Sequence, residues 1–364
     1  MNTIRWNLTD QLTLSSFGFI SNNIALEILT QFENFDHFIG SENRYALRLK
    51  QGGLFSDKIA EAKNNAVKQI EICEQKNVSI ISIIDDSYPQ LLKEITGPPI
   101  ILFVSGNLQP SNTFSISIVG TRRITQYGQR ATELFATEFA QNGIIVTSGL
   151  ATGVDSCAHS ATIKSNGITY AIIASGVDCL SPSDATLKAK KIIEEGGAII
   201  SEYWCGTPAQ RAYFPQRNRI ISGISKATLI IESAERGGAL ITAKFAFDQQ
   251  RELYALPGNI FSERSQGTHN LIRDNLARIA INPSQILQDL GIKSSTQSLF
   301  DNSSLINLSD ADRAVIEHLS HEPLHIDELC SLANMNMPSI LVKLLEFEFK
   351  GLVKQMPGKY YIKA

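Results

Sequence analysis

Residues 144–155 read Ile144-Ile145-Val146-Thr147-Ser148-Gly149-Leu150-Ala151-Thr152-Gly153-Val154-Asp155. An unbroken apolar run stops at a glycine-rich turn, and Ala158-His159 then sits on a new helix. That is the mark of a strand covered on both faces and followed by a crossover helix. The same unit recurs between residues 115 and 257. Strands are expected at Ile116–Val119, Ile144–Thr147, Thr169–Ala174, Ala198–Ser201, Thr228–Glu232 and Glu252–Leu256. After the first of them, Ala131, Leu134, Phe135 and Phe139 share one helical face, which Asn142-Gly143 closes. Strand–helix alternation of this kind predicts a doubly wound, mostly parallel α/β sheet.

The flanks read differently. Over residues 1–80 the spacing of Ile59, Ala62, Ala66, Ile70 and Cys73 is helical, with Gly40, Gly52 and Gly53 as breaks, so a small helical N-terminal domain is expected. Asp85-Asp86-Ser87-Tyr88-Pro89 and Gly97-Pro98-Pro99 connect it to a main domain over residues 81–290, and short apolar runs around them suggest extra strands. Residues 291–308, rich in Ser and Asn, read as a linker. Beyond it, three short helices (Ala311–Ser320, Ile326–Ala333, Ser339–Phe349) and a hairpin about Pro357-Gly358 predict a winged-helix domain over residues 309–364.

The chain has 364 residues, 43% hydrophobic and 19% charged, the composition of a soluble globular protein. Its start lacks the layout of a signal peptide, and no apolar stretch approaches the ~20 residues that span a bilayer. Five scattered cysteines without a Cys-x-x-Cys pair fit reduced thiols and argue against a disulfide framework or a zinc site. The expectation is a cytoplasmic protein with no membrane partner, no metal and no cofactor.

In open parallel sheets, ligands sit beyond the carboxyl ends of the strands. The first such end reads Val119-Gly120-Thr121-Arg122-Arg123, followed by Tyr127-Gly128, which places two arginines where a phosphate meets helix amides. Neither Gly-x-Gly-x-x-Gly nor a phosphate-binding loop of the Gly-x-x-x-x-Gly-Lys-Ser/Thr type is present, which argues against a dinucleotide or motor-type nucleotide site. After the second strand, two glycines and two hydroxyls present backbone N–H groups to an anion. Asp155 and His159 lie four apart on the new helix and read as a structural pair. Glu232, ahead of Gly237-Gly238-Ala239-Leu240-Ile241-Thr242-Ala243, reads as an acid near the site or as a buried partner of Arg217 or Arg219. No nucleophile with a base partner is evident. Residues 211–226 carry Arg211, Arg217, Arg219 and Lys226 with no acid, in a chain of net charge -3, together with Tyr213 and Phe214. Cations beside rings hold single-stranded nucleic acid by phosphate contact and base stacking.

Taken together and in order, these motifs resemble the DNA-processing protein A family (DprA/Smf). The matching parts run from Val119-Gly120-Thr121-Arg122 through Ser148–Asp155 with Ala158-His159, Ser201-Glu202 and Phe214-Pro215-Gln216-Arg217-Asn218-Arg219-Ile220-Ile221. They continue with Gly238–Ala243, Pro257-Gly258 and Gly267-Thr268-His269-Asn270-Leu271-Ile272. The resemblance implies an extended Rossmann core with a SAM-like helical N-terminal domain and a winged-helix C-terminus. It implies a non-enzymatic protein that binds incoming single-stranded DNA in natural transformation and loads the RecA recombinase onto it. The implied DNA site is Arg122, Gly149, Arg211, Phe214, Arg217, Asn218, Arg219, Gly238, Thr242 and Lys244, and the implied homodimer surface includes His269, Leu271 and Ile272. Two departures stand out: Leu180-Ser181-Pro182 follows Gly176-Val177-Asp178 where the family usually has Tyr-Pro, and Asn275-Leu276 replaces a common Gly-Ala.

Two other readings compete. A nucleotide hydrolase of the phosphoribohydrolase (lysine decarboxylase-like) type would show Pro-Gly-Gly-x-Gly-Thr, where this chain has Glu235-Arg236-Gly237-Gly238-Ala239-Leu240. A transcription regulator would use the last winged helix, Ser339–Lys350. That helix mixes Lys343 and Lys350 with Glu346 and Glu348, poor for phosphates and better suited to a protein-contact or auxiliary role.

Overall fold

The strand–turn–helix units assemble into one large sheet in the computed structural model, which describes residues 6–50, 55–180, 183–292, 310–320, 322–349 and 352–363. Gly52, Gly53, Ser181, Pro182 and all but the first two residues of the expected linker lie outside the described residues. The chain divides into two compact units, Met1–Ser295 and Thr296–Ala364.

The first unit opens with helices α1 (Leu8–Ser16), α2 (Asn22–Gln31), α3 (Phe35–Gly40), α4 (Arg44–Lys50) and α5 (Phe55–Gln75). Side chains of Asn7 and Asn34 accept the backbone N–H of Asp10 and His37, which satisfies donors that α1 and α3 leave free. Rings of Trp6, Phe32, Phe35 and Phe38 meet edge to face between them, at centroid distances of 5.4–6.2 Å. On α5, Ala62, Ala66 and Cys73 are buried along the expected face. Strand β1 (Val78–Ser82) begins two residues ahead of residue 80. The cluster that holds the N-terminal helices continues without a break into the sheet.

Then follow α6 (Gln90–Lys93), β2 (Ile101–Gly106), β3 (Ser115–Val119), α7 (Gln126–Gln141), β4 (Ile145–Ser148), α8 (Val154–Lys164), β5 (Thr169–Ile172), α9 (Ser183–Glu194) and β6 (Ala198–Ser201). The unit closes with α10 (Tyr213–Gly223), β7 (Ala227–Ile230), α11 (Ala239–Asp248), β8 (Glu252–Ala255), α12 (Gln266–Arg273), β9 (Arg278–Ile279) and α13 (Pro283–Asp289). The strand order is β1-β2-β6-β5-β4-β3-β7-β8-β9. Strands from β6 to β9 in that order run parallel, while β1 and β2 add an antiparallel edge. Both faces are covered. Ile116, Ile118, Val146, Leu229 and Tyr254 point to a cluster with α7, α8 and α13, and their neighbours Val119, Ile145, Ile230, Leu253 and Ala255 point to one with α9, α10 and α11. That alternation is why each strand reads as a continuous apolar run. Phe135 and Phe139 of α7 are fully buried, so truncation of either costs about 3–5 kcal/mol.

The second unit holds α14 (Asp310–Glu317), β10 (Leu324–His325), α15 (Ile326–Leu332), α16 (Met337–Phe349), β11 (Val353–Met356) and β12 (Tyr360–Lys363). Three helices and a small antiparallel sheet of order β10-β12-β11 form the winged helix. The hairpin turns at Gly358 (φ 83°) and Lys359 (φ 61°). Ile316, Leu329, Ile340, Leu344 and Phe347 make its core. On α16, Lys343 is held in an ion pair by Asp312. Among the described residues, no helix is long and apolar enough to cross a membrane.

Candidate nucleic-acid interface

The order in which the chain adds strands reverses at β3, which lies between β4 and β7. Loops leaving these strands therefore part in opposite directions, and a crevice opens above their carboxyl ends. It encloses about 630 Å³, and its walls include Gly120, Thr121 and Arg122 after β3, Arg211, Phe214 and Asn218 around the start of α10, and Gly238 and Thr242 of α11.

Glycine shapes the turns beneath it. Gly153 has φ +84°, and a Cβ there would lie 2.3 Å from the Thr121 carbonyl oxygen, so the β3 and β4 loops touch backbone to backbone. At Gly149 a Cβ would lie 2.7 Å from Asp155 Oδ2 and 2.9 Å from both terminal nitrogens of Arg217. Leu150 holds φ +58°, a left-handed conformation that costs a side-chain-bearing residue energy. Strain of this kind gathers where a turn must present its backbone to something.

Arg122 is exposed, and its guanidinium carbon lies 5.7 Å from the centroid of the half-buried Phe214 ring. This is the charge-and-ring pair that the sequence places at two separate points, 92 positions apart by number (214 minus 122). Arg211 is exposed on the same wall. Tyr213 is turned away: its ring stacks on Tyr203 at 4.2 Å with 20° between planes, so Phe214 alone of the two rings faces the crevice.

Arg217 has a different setting from its neighbours. It is 4% exposed, and Nη1 donates to the carbonyls of Gly149 (2.8 Å) and Ile172, tying the ends of β4 and β5. Burial pulls its pKa down to about 10, against the favourable charge of Asp155, and Arg122 pulls it further. Burial likewise pushes the Asp155 carboxyl up to about 6, opposed by Arg217 and by the N–H groups of Ala151 and Gly149. Asp155 thus accepts from the turn after β4 within the field of Arg217, and the expected pair with His159 does not form. His159 Nδ1 instead bonds Thr169 Oγ1 at 2.7 Å, and burial presses its pKa down to about 3, so the ring is neutral.

The remaining expected residues divide. Asn218, Gly238 and Thr242 line the crevice, whereas Gly149 lines an adjoining cavity. Arg219 is turned toward Glu202 in an ion pair, and Lys244 is exposed outside the crevice wall. Glu232 partners neither Arg217 nor Arg219. It accepts the Thr125 N–H at 3.0 Å and the Thr125 hydroxyl, beside the start of α7. His269 Nε2 lies 3.2 Å from the Gly258 nitrogen and 3.1 Å from the Gly258 carbonyl oxygen, and Leu271 and Ile272 are half-buried against the first core. Ile241 of the Gly238–Ala243 motif, 40% exposed, also lines the wall, as do Ser233 and Ala234, which the motifs did not single out. The Gly237-Gly238 turn was their only local signal.

Comparison with known proteins now bears on this geometry. Residues 79–291 match the family described as DNA recombination-mediator protein A, and residues 301–359 match the DprA winged helix domain. The chain belongs to the DNA recombination-mediator protein A (DprA/Smf) family. Among members, it is 33% identical to protein Smf of Escherichia coli over 334 residues, which covers 89% of each chain. DNA processing protein A of Streptococcus pneumoniae superposes with a TM-score of 0.61 at 27% identity, covering 78% of this chain and 98% of that one. The corresponding protein of Helicobacter pylori, whose structure addresses its single-stranded DNA binding mode, gives a TM-score of 0.53 at 27% identity and covers 58% and 95%. For the DprA/Smf family fold, the crevice lies within the matched segment, since every residue of its wall falls between 79 and 291.

Proposed function

We propose that this chain is a non-enzymatic single-stranded DNA-binding protein that holds its cargo in the crevice where the strand order reverses. The carrying observation is the exposed Arg122 guanidinium over the Phe214 ring, with Arg211 on the same wall. A cation beside a ring matches a phosphate and a base from one nucleotide unit, whereas the Gly149 and Ala151 N–H groups of the turn after β4, expected to face an anion, are taken by Asp155. The family and the Helicobacter pylori relative support the same ligand. Within this reading, the protein works in the cytoplasm as a homodimer, protects incoming DNA during natural transformation and loads RecA onto it. Both buried carboxylates near the strand ends have structural partners, Asp155 with the Gly149 and Ala151 N–H groups and Glu232 with Thr125, which favours a binder over a nucleotide hydrolase.

The test compares labelled oligo-dT with duplex of equal length across a salt series. Arg122→Ala is expected to weaken single-strand binding and to lower the slope of log affinity against log salt by ~0.7, the value for one lost phosphate contact. Unchanged affinity and slope in the folded variant, or equal affinity for duplex, defeats the proposal. Release of free base from nucleoside monophosphates by wild type would instead support the hydrolase.

A further inference from the structure

The crevice does not end at Phe214. It shares Arg122, Ala151, Phe214 and Arg217 with an adjoining cavity of about 180 Å³. That cavity in turn shares Lys188 with a groove of about 520 Å³ along α7 and α8. The three spaces are therefore neighbours with walls in common, ranged from the start of α11, past the Arg122–Phe214 pair, to α7 and α8.

The groove has a composition of its own. α7 contributes Gln129, Glu133 and Thr137, and α8 contributes Ser156, Ser160 and Lys164. Lys188 reaches in from α9, where its Nζ donates to Ser156 Oγ, so the ammonium is stationed at the junction of groove and cavity. Lys164 is exposed. The only acid among the described wall residues is Glu133, whose Oε1 accepts Gln129 Nε2 at 2.9 Å. No aromatic ring is among those wall residues. Hydroxyls, an amide and two ammonium groups without a ring suit phosphates and sugars, and offer nothing for a base to stack on.

We propose that the groove is a second, backbone-only subsite, into which a single strand leaving the crevice passes over Lys188 and lays its phosphates between Lys188 and Lys164. The proposal rests on the reading of the crevice as a single-strand site. A lysine tethered by a serine hydroxyl is positioned before the strand arrives, and it acts as a point charge that asks for no particular base.

The experiment measures binding of labelled oligo-dT of about 6 and about 20 nucleotides, lengths that bracket a one-site and a two-site footprint. Variants are Lys188→Ala, Lys164→Ala, the double variant, and Lys188→Arg. For the longer strand, the double variant is expected to lose about 5–10-fold in affinity at low salt, with the salt slope lower by ~1.4, which is two single-strand phosphate contacts. The shorter strand should bind all variants like wild type, and Lys188→Arg should restore the longer strand. Lys190→Ala, on the same helix and paired with Glu194 at 3.7 Å, serves as the control for general charge. Equal losses for both lengths, a matching loss in Lys190→Ala, or no loss in the folded double variant each overturn the groove. Those results leave the crevice standing as long as Arg122→Ala still weakens the shorter strand. A double variant that melts early is replaced by Lys164→Glu, which changes only an exposed side chain and should lower the longer strand's affinity alone.

Discussion

Replacing Arg217 by Ala tests whether this residue is a support of the crevice or a contact for its ligand. The substitution removes a buried guanidinium, takes away the charge that opposes the burial of Asp155, and leaves the Gly149 and Ile172 carbonyls without this donor. Leaving two buried carbonyls without their donor costs about 1–3 kcal/mol each, ~2–6 kcal/mol together. For a unit that spans Met1–Ser295, at about 2.1 cal/mol/K per residue, that is a fall in melting temperature of roughly 3–10 °C. The loss depends on pH, and its sign follows from Asp155. Its folded pKa of about 6 lies above the ordinary value of 3.8, so the folded state keeps a proton that the unfolded chain releases, and stability from this group rises as pH falls through 6 toward 3.8. Without Arg217 the carboxyl moves higher still, because the guanidinium was what opposed burial. The deficit should therefore be largest near pH ~8, where the charged carboxylate has the nearby guanidinium in wild type and lacks it in the variant, and smallest near pH ~5, where the carboxyl is neutral in both. Circular-dichroism melts of both proteins at the two pH values read it directly. At low temperature the folded variant should keep the wild-type salt slope for oligo-dT. A variant as stable as wild type, or a deficit equal at both pH values, refutes the supporting role, and a reduced salt slope returns Arg217 to the phosphate contacts.

Two further outcomes follow from the site and from the surface near α12. Phe214→Ala should cost about 1–3 kcal/mol of single-strand binding with little change in salt slope, because stacking releases few ions; a large fall in melting temperature with binding intact would make the ring a core residue instead. Ile272→Asp should convert the proposed homodimer to a monomer by light scattering, and a wild type that is monomeric at tens of micromolar (roughly the range of a weak dimer) removes the surface of Leu271 and Ile272 from assembly.

The strands could be read from the chain within about two residues, because a strand buried on both faces leaves a run that no exposed position interrupts. β9 was not legible: Arg278 and Ile279 are both exposed and only two residues long, so pairing with β8 defines the strand and composition does not. The antiparallel edge of β1 and β2 was visible only as apolar runs, since direction is set by tertiary pairing. At the site, Arg122, Arg211 and Phe214 were legible from charge and position after strand ends. Arg217 and Arg219 were not distinguishable from them by charge. Helical spacing held the missing signal: Arg217 lies three and four residues before Ile220 and Ile221, both buried, and so shares their inward face. Lys188 carried no motif at all, because its place beside the groove of α7 and α8 comes from the packing of α9 and not from its sequence neighbours.

Helix α10 is fastened at three places: by Arg217 to the ends of β4 and β5, by Arg219 to Glu202, and by Tyr213 stacked on Tyr203. A platform tied down in this way has little conformational freedom left to lose when a strand settles on it. The arrival of a nucleic acid then requires no folding of the protein around it. Its speed is governed by how often a phosphate meets the exposed Arg122 and Arg211, and so by ionic strength. Stopped-flow association rates should rise in proportion to protein concentration without reaching a plateau, the kinetics of a jaw that is already open.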